Sequence, residues 1–130
     1  MIVPDASAIL EVLLRTDAAA AVEARLFAGD TLHAPHVLDL EVAQVLRRYA
    51  LRGELSARRG AEALADFAAL PIERYPHHLF LGRIWDLRAS VTAYDAAYLA
   101  LAEALDAPLV TCDARLARAR GRAARVEVVG

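Results

Sequence analysis

The chain has no lysine: all 15 of its basic residues are arginine. That gap excludes two enzyme and signalling classes that also gather acids at strand ends. Receiver-like signalling domains need a lysine beside their acids. Phosphatases of the haloacid dehalogenase type need one too, and Ser7 stands where their second aspartate would be expected. There is one cysteine, Cys112, set in an apolar run, so no internal disulfide is possible. It reads as a small core residue of a reduced, cytoplasmic protein. No Gly-x-Gly-x-x-Gly follows an apolar run, which argues against dinucleotide binding. Charges interrupt every apolar stretch before membrane-spanning length, and no basic segment leads into a long apolar one at the start. Neither a membrane span nor an export signal is expected. The net charge of −2 excludes a polycation that clings to nucleic acid everywhere.

What is present is apolar and rich in alanine. At 130 residues and 58% hydrophobic content, a single domain with a real core is expected. Ile2-Val3 reads as a short buried strand, followed by a helix from Ala8 to Leu14. Asp17 is placed to cap a helix running to about Phe27, before Gly29-Asp30. Thr31 to Ala34 reads as a second strand, with Pro35 opening the next helix. Leu38, Val42, Val45, Leu46 and Tyr49 give that helix one apolar arc, and Gly53 closes it. Ser56 caps a helix over 57–70, with Leu64 and Phe67 inward. Ile72 to Tyr75, between prolines, suits an edge strand. A helix over 78–88 turns on Leu81, Ile84 and Trp85. Thr92 starts the most regular helix, with Tyr98, Leu101, Ala102 and Leu105 on one face. Leu109 to Cys112 is a buried strand, and Val126 to Val129 the last one. Strands alternating with helices predict an α/β fold whose parallel sheet carries helices on both faces.

Four acids stand out by position. Asp5 and Asp113 each follow a strand directly, Glu41 lies near the start of the helix after the second strand, and Asp95 lies in the first turn of the helix before the Asp113 strand. Right-handed crossovers bring helix starts to the strands' C-terminal edge, where Asp5, Glu41 and Asp113 then meet. Asp95 joins them only if its helix is entered from a loop. Capping explains three of these equally well: Asp5 and Asp113 as caps, and Thr92 with Asp95 as a capping box. Glu41 lies beyond the first helical turn and at the border of the apolar arc, where a carboxylate needs a partner or an ion. Arg48 is the nearest structural partner by spacing, whereas Asp39 points away from the arc. Gathered carboxylates resist ionising together, and a hard divalent cation relieves that repulsion. Oxygen-only donors suit Mg²⁺ or Mn²⁺, whose chemistry here is phosphodiester hydrolysis by water.

Four segments carry a resemblance: Ile2-Val3-Pro4-Asp5-Ala6-Ser7, Pro35 through Glu41 to Leu46, Tyr94-Asp95-Ala96-Ala97-Tyr98-Leu99-Ala100-Leu101-Ala102, and Leu109-Val110-Thr111-Cys112-Asp113-Ala114-Arg115-Leu116. Together they resemble the PIN-domain ribonucleases, and more closely the VapC-type toxins of bacterial toxin–antitoxin pairs. The resemblance spans essentially the whole chain, and the segment beginning at Tyr94 is its most specific part. It implies a single PIN domain over residues 1–130, with a parallel five-stranded sheet flanked by helices. It implies a Mg²⁺- or Mn²⁺-dependent endoribonuclease, a homodimer, and neutralisation by a VapB-type antitoxin. By the same resemblance Asp5, Glu41, Asp95 and Asp113 match the family's acidic metal-binding positions, and Ser7 and Thr111 the hydroxyl residues that support them. Pro4 departs from the common pattern, in which an apolar residue able to donate a backbone hydrogen bond is usual, and Cys112 is a second local departure.

The rival within the same fold is a scaffold that binds partners without catalysis. His33, His36, His77 and His78 lack ligand spacing. Phe80 and Trp85 read as core or partner-groove residues. Most arginines, at 47–59 and 115–125, read as solvated faces, with some able to cradle RNA phosphates beside the acids.

Overall fold

The computed structural model describes residues 1–130. Five short strands, β1 (Val3–Pro4), β2 (Leu32–Pro35), β3 (Ile72–Tyr75), β4 (Leu109–Thr111) and β5 (Val126–Val128), alternate with seven helices. These are α1 (Ala6–Leu14), α2 (Ala19–Leu26), α3 (Val37–Leu51), α4 (Ala57–Ala69), α5 (Leu81–Asp86), α6 (Ala93–Leu105) and α7 (Ala114–Ala117), with a 3₁₀ turn over His77–Phe80. Every strand pairing is parallel. No helix is long and apolar enough to cross a membrane.

The strands form two ladders, β2–β3 and β1–β4–β5, joined by one bridge between Ile2 and Leu32. The spatial order is therefore 3-2-1-4-5. Pro4 explains why the ladders separate. Along a parallel strand, successive N–H groups face opposite neighbours. Val3 and Asp5 face β4, donating to Pro108 O at 2.9 Å and Val110 O at 3.1 Å. Ile2 faces β2, donating to Thr31 O at 2.9 Å and accepting from the His33 N–H at 3.0 Å. The next group facing β2 would be the N–H of residue 4, which proline lacks. Pairing with β2 ends there, while the ladder to β4 continues.

The chain runs from β1 outward through β2 and β3, then returns to the other side of β1 for β4 and β5. The order thus reverses at the β1–β4 junction, where ligands bind in open α/β sheets. Helix α6 packs behind that junction and is buried without interruption from Ala96 to Ala102. Its alanines allow the close approach that a helix enclosed on most sides requires.

Several local expectations differ from the structure. Asp17 does not cap α2, which starts at Ala19 after Ala18 and has no side-chain cap. Pro35 ends β2 rather than opening α3, and the imidazole of His77 accepts the Val37 N–H at 2.7 Å instead. In α4 the inward residues are Gly60, Ala63 and Phe67, and Leu64 faces outward. Leu81 and Trp85 are 60% and 66% exposed, so only Ile84 of that trio packs on the core. Asp39 is not free in solvent: Arg74 Nε donates to its two oxygens at 2.8 and 3.0 Å, tying α3 to β3. Ser56 and Thr92 cap α4 and α6 as expected, through the N–H groups of Arg59 and Asp95.

Candidate active site

Asp5 leaves β1 in an extended conformation and begins α1, so its carboxylate serves as a helix cap and also faces the β4 end. Its Oδ1 accepts from the Ala8 N–H at 3.1 Å and from Ser7 Oγ at 2.6 Å, and its Oδ2 accepts from Thr111 Oγ1 at 2.6 Å. Ser7 Oγ accepts the Cys112 N–H at 2.9 Å, and Thr111 Oγ1 accepts the Asp113 N–H at 2.9 Å. Two hydroxyls thus tie the ends of β1 and β4 around one buried carboxylate. Burial raises the pKa of Asp5; the Ser7, Thr111 and Ala8 hydrogen bonds oppose that, and the nearby charge of Asp113 adds to it, for a net rise.

Glu41, on the second turn of α3, does not meet Arg48. Its Oε1 accepts from the Tyr98 hydroxyl at 2.6 Å. Tyr98 is 1% exposed, and Glu41 gives its hydroxyl the partner a buried phenol needs. The pKa of Glu41 is raised, first by burial and then by the charges of Asp95 and Asp5, against the lowering effect of Tyr98. Burial, together with Glu41, drives the Tyr98 phenol far up, so it stays protonated and donates.

Asp95 enters at the same edge because α6 begins there, after a turn rather than a strand. Its pKa is raised by burial and by Asp5 and Asp113, with Arg115 and Thr92 opposing. Asp113 is the exception: Arg115 holds its pKa below the ordinary range. Arg115 Nε donates to both Asp113 oxygens at 3.0 and 3.2 Å, and Nη2 to Oδ2 at 2.7 Å.

The four acids therefore share one edge and feel one another's charge. As the side chains stand, no three His, Cys, Asp or Glu side chains converge tightly enough to enclose a metal ion. The hydrogen bonds account for this: Asp113 is drawn to Arg115, Glu41 to Tyr98 and Asp5 to the two hydroxyls. The donor set itself suits a hard divalent cation, being all oxygen, with no ion pair relieving Asp5, Glu41 or Asp95. The histidines lie elsewhere. His33 is held between Thr31 and Tyr75, and His77 caps α3.

Two site neighbours are not evident from sequence motifs. Tyr98 reads as core because its ring is core; its hydroxyl was the available signal, since a buried phenol needs an acceptor. Arg115 follows Asp113 by two residues, which suits the turn into α7, but the direction of a long side chain is not written in spacing.

A family model described as PIN domain matches residues 2–122. The chain belongs to the PIN-domain family. Its relatives include Ribonuclease VapC12 of Mycobacterium tuberculosis, 45% identical over 129 residues covering 99% of each chain. VapC ribonuclease Mb0985 of Mycobacterium bovis is 48% identical over 116 residues, 89% of this chain and 88% of that one. Within the family, the chain is of the VapC type. Solved structures share the fold at low identity. VapBC2 of Rickettsia felis, bound to a DNA fragment from its promoter, matches over 100% of both chains with a TM-score of 0.74 at 14% identity. VapC20 of M. tuberculosis, described as a toxin that cleaves the sarcin–ricin loop, matches over 100% of both with a TM-score of 0.73 at 15%.

Proposed function

We propose that the chain is a metal-dependent endoribonuclease acting in the cytoplasm as the toxin of a toxin–antitoxin pair. The observation that carries this reading is the set of three carboxylates, Asp5, Glu41 and Asp95, left in mutual repulsion at the β1–β4 switch point with no ion pair to any of them. Relatives named as ribonucleases over nearly the whole chain supply the substrate class.

In this reading Asp5, Asp95 and Asp113 would hold Mg²⁺ or Mn²⁺, with Glu41 beside them. The cation, when bound, supplies positive charge for a phosphoryl oxygen and acidifies water. The rest follows from the chain's own groups. Ser7 and Thr111 fix the Asp5 carboxylate by hydrogen bonds to each oxygen. Tyr98 pins Glu41 Oε1 and leaves Oε2 to orient the attacking water and receive its proton. The raised pKa of Glu41 makes it a stronger base for that proton than an exposed carboxylate.

The partners in this reading are RNA, a second copy of the chain and a VapB-type antitoxin. Exposed Leu40, Leu81, Trp85 and Tyr94 are surface that a partner would cover. An antitoxin segment lying near them and placing an arginine among the acids would displace the ion, since a guanidinium bridges carboxylates.

The absence of a ready chelating trio favours a second reading, a PIN scaffold that binds partners only. One experiment separates the two: incubation of the purified chain with labelled structured RNA and Mg²⁺ or Mn²⁺. Cleavage that stops with EDTA and with Asp95→Asn supports the nuclease. Cleavage unaffected by either overturns the site assignment, and none in the parent favours the scaffold.

A further inference from the structure

A cavity of about 480 Å³ lies beside Asp95, between the turn leading into α6 and the start of α7. Arg88 and Arg115 both line it, with the hydroxyl residues Ser90 and Thr92. The two guanidiniums are held in place by the chain itself. The Arg88 Cζ sits 4.5 Å from the centroid of the Trp85 ring, and its Nη1 donates to Trp85 O at 2.9 Å. Arg115 is held by Asp113 through Nε and Nη2. Neither grip uses the whole fork. Arg88 keeps Nε and Nη2, and Arg115 keeps Nη1, without an acceptor in the chain.

Arg88 also forms no ion pair, unlike Arg25, Arg74, Arg83 and Arg115. A surface arginine with no acid partner is ordinarily a mobile side chain. Here stacking and a backbone acceptor fix it, so less order remains to be imposed when a ligand arrives. A planar cation with spare parallel donors is the group that best matches phosphate. The cavity opens onto Asp95, one of the acids assigned to the reaction.

We propose that Arg88 and Arg115 form a phosphate seat that grips the RNA backbone at the position adjoining the scissile group. The seat rests on the ribonuclease reading above and adds to it a fixed point from which the strand is laid across Asp5 and Asp95. The charge balance makes the seat conditional. Asp95 and Asp113 offset the two arginines while the acids are bare, and a divalent cation among the acids tips the cavity positive. RNA and metal therefore reinforce each other's binding.

The test uses the full chain, Arg88→Ala, Arg88→Lys, and Arg58→Ala as a control that removes an equal charge from exposed surface on α4. Steady-state cleavage in Mg²⁺ is followed alongside binding of a labelled single-stranded oligoribonucleotide with Ca²⁺ in place of Mg²⁺ across a range of salt. Arg88→Ala is expected to raise KM about five- to tenfold with kcat within twofold, and to flatten the slope of log affinity against log salt by about 0.7. Arg88→Lys should keep the slope and recover part of KM, and Arg58→Ala should match the parent. A parent that cleaves RNA while Arg88→Ala equals it in KM and slope overturns the seat and leaves the nuclease standing. Equal effects from Arg58→Ala, or equal loss of affinity for oligoglutamate, show a general anionic attraction and also overturn it. A parent that neither binds nor cleaves RNA overturns both readings.

Discussion

Arg115 closes on Asp113 with three side-chain hydrogen bonds across only two residues of chain, and the same guanidinium opposes the rise in the pKa of Asp95. The cation is local and exposed, yet it acts on two of the four acids. It offsets, from the rim of the site, part of the negative charge that would attract a metal ion.

Removing Arg115 should therefore strengthen metal binding. Arg115→Ala is expected to bind Mn²⁺ several-fold more tightly by calorimetry, with little change in melting temperature because the pair is solvent-screened. Weaker binding in the variant would show that Arg115 organises Asp113 for the ion rather than competing with it.

Asp95→Asn should stabilise the metal-free protein while ending cleavage. It removes one charge from the repelling set without breaking a strand-end hydrogen bond. A gain of about 0.5–1 kcal/mol, or roughly 2–5 °C in melting temperature, is expected. Asp5→Asn is the poorer probe, since its new amide would face Thr111 Oγ1, which now donates to Asp5 and would have to turn. Added Mg²⁺ should stabilise the parent and not Asp95→Asn, because it binds the folded state alone. Identical melting curves with and without Mg²⁺ would count against a shared acidic pocket.

The pH profile follows from the signs of the shifts. Asp5, Glu41 and Asp95 have folded pKa values above their ordinary 3.8, 4.5 and 3.8, so over that interval the folded state binds more protons than the unfolded one. Metal-free stability should rise as pH falls from neutral through those raised values. Asp113, Glu103 and Glu127 are shifted the other way, by Arg115, Arg83 and Arg25, so their contribution is present above the ordinary range and lost as pH falls further. The expected curve has a maximum on the acid side of neutrality. Saturating Mg²⁺ should remove the rise on the neutral side, which denaturant titrations at several pH values would read directly.

Tyr98→Phe keeps the buried ring and deletes one donor. Stability should fall by about 1 kcal/mol, the usual size for one such hydrogen bond. If Glu41 handles the water proton, kcat should fall about tenfold with KM nearly unchanged, because Oε2 loses its fixed direction. A rise in KM alone would place Tyr98 and Glu41 in RNA binding instead.

The strand-end acids were legible because position alone places them: a residue that follows a buried strand sits at its C-terminal edge whatever the rest of the chain does. Asp5 and Asp113 needed no further knowledge, and Asp95 needed only the entry of α6 from a turn. Glu41 was legible as a carboxylate that needed a partner, but the partner was not Arg48. Helical spacing finds neighbours within one helix, and Tyr98 is 57 residues away. Asp39 failed for the same reason, its arginine coming from β3. Pro35 and Asp17 failed on competing local uses: a proline also ends a strand, and a helix start can be held by a distant imidazole or by nothing. The direction of Arg115 belonged to no pattern, because a two-residue offset fixes the backbone and leaves five donors free to choose.

Pro4 has a mechanical consequence. By ending the β1–β2 ladder after one bridge, it leaves the sheet as two plates stitched at a single point by two backbone hydrogen bonds around Ile2. Glu41 rides on the plate of β2 and β3, while Asp5 and Asp113 ride on the plate of β1 and β4. Both plates still close on one hydrophobic core, so the span between Glu41 and the strand-end acids is set by side-chain packing across the seam and by the Tyr98–Glu41 hydrogen bond, not by a continuous ladder.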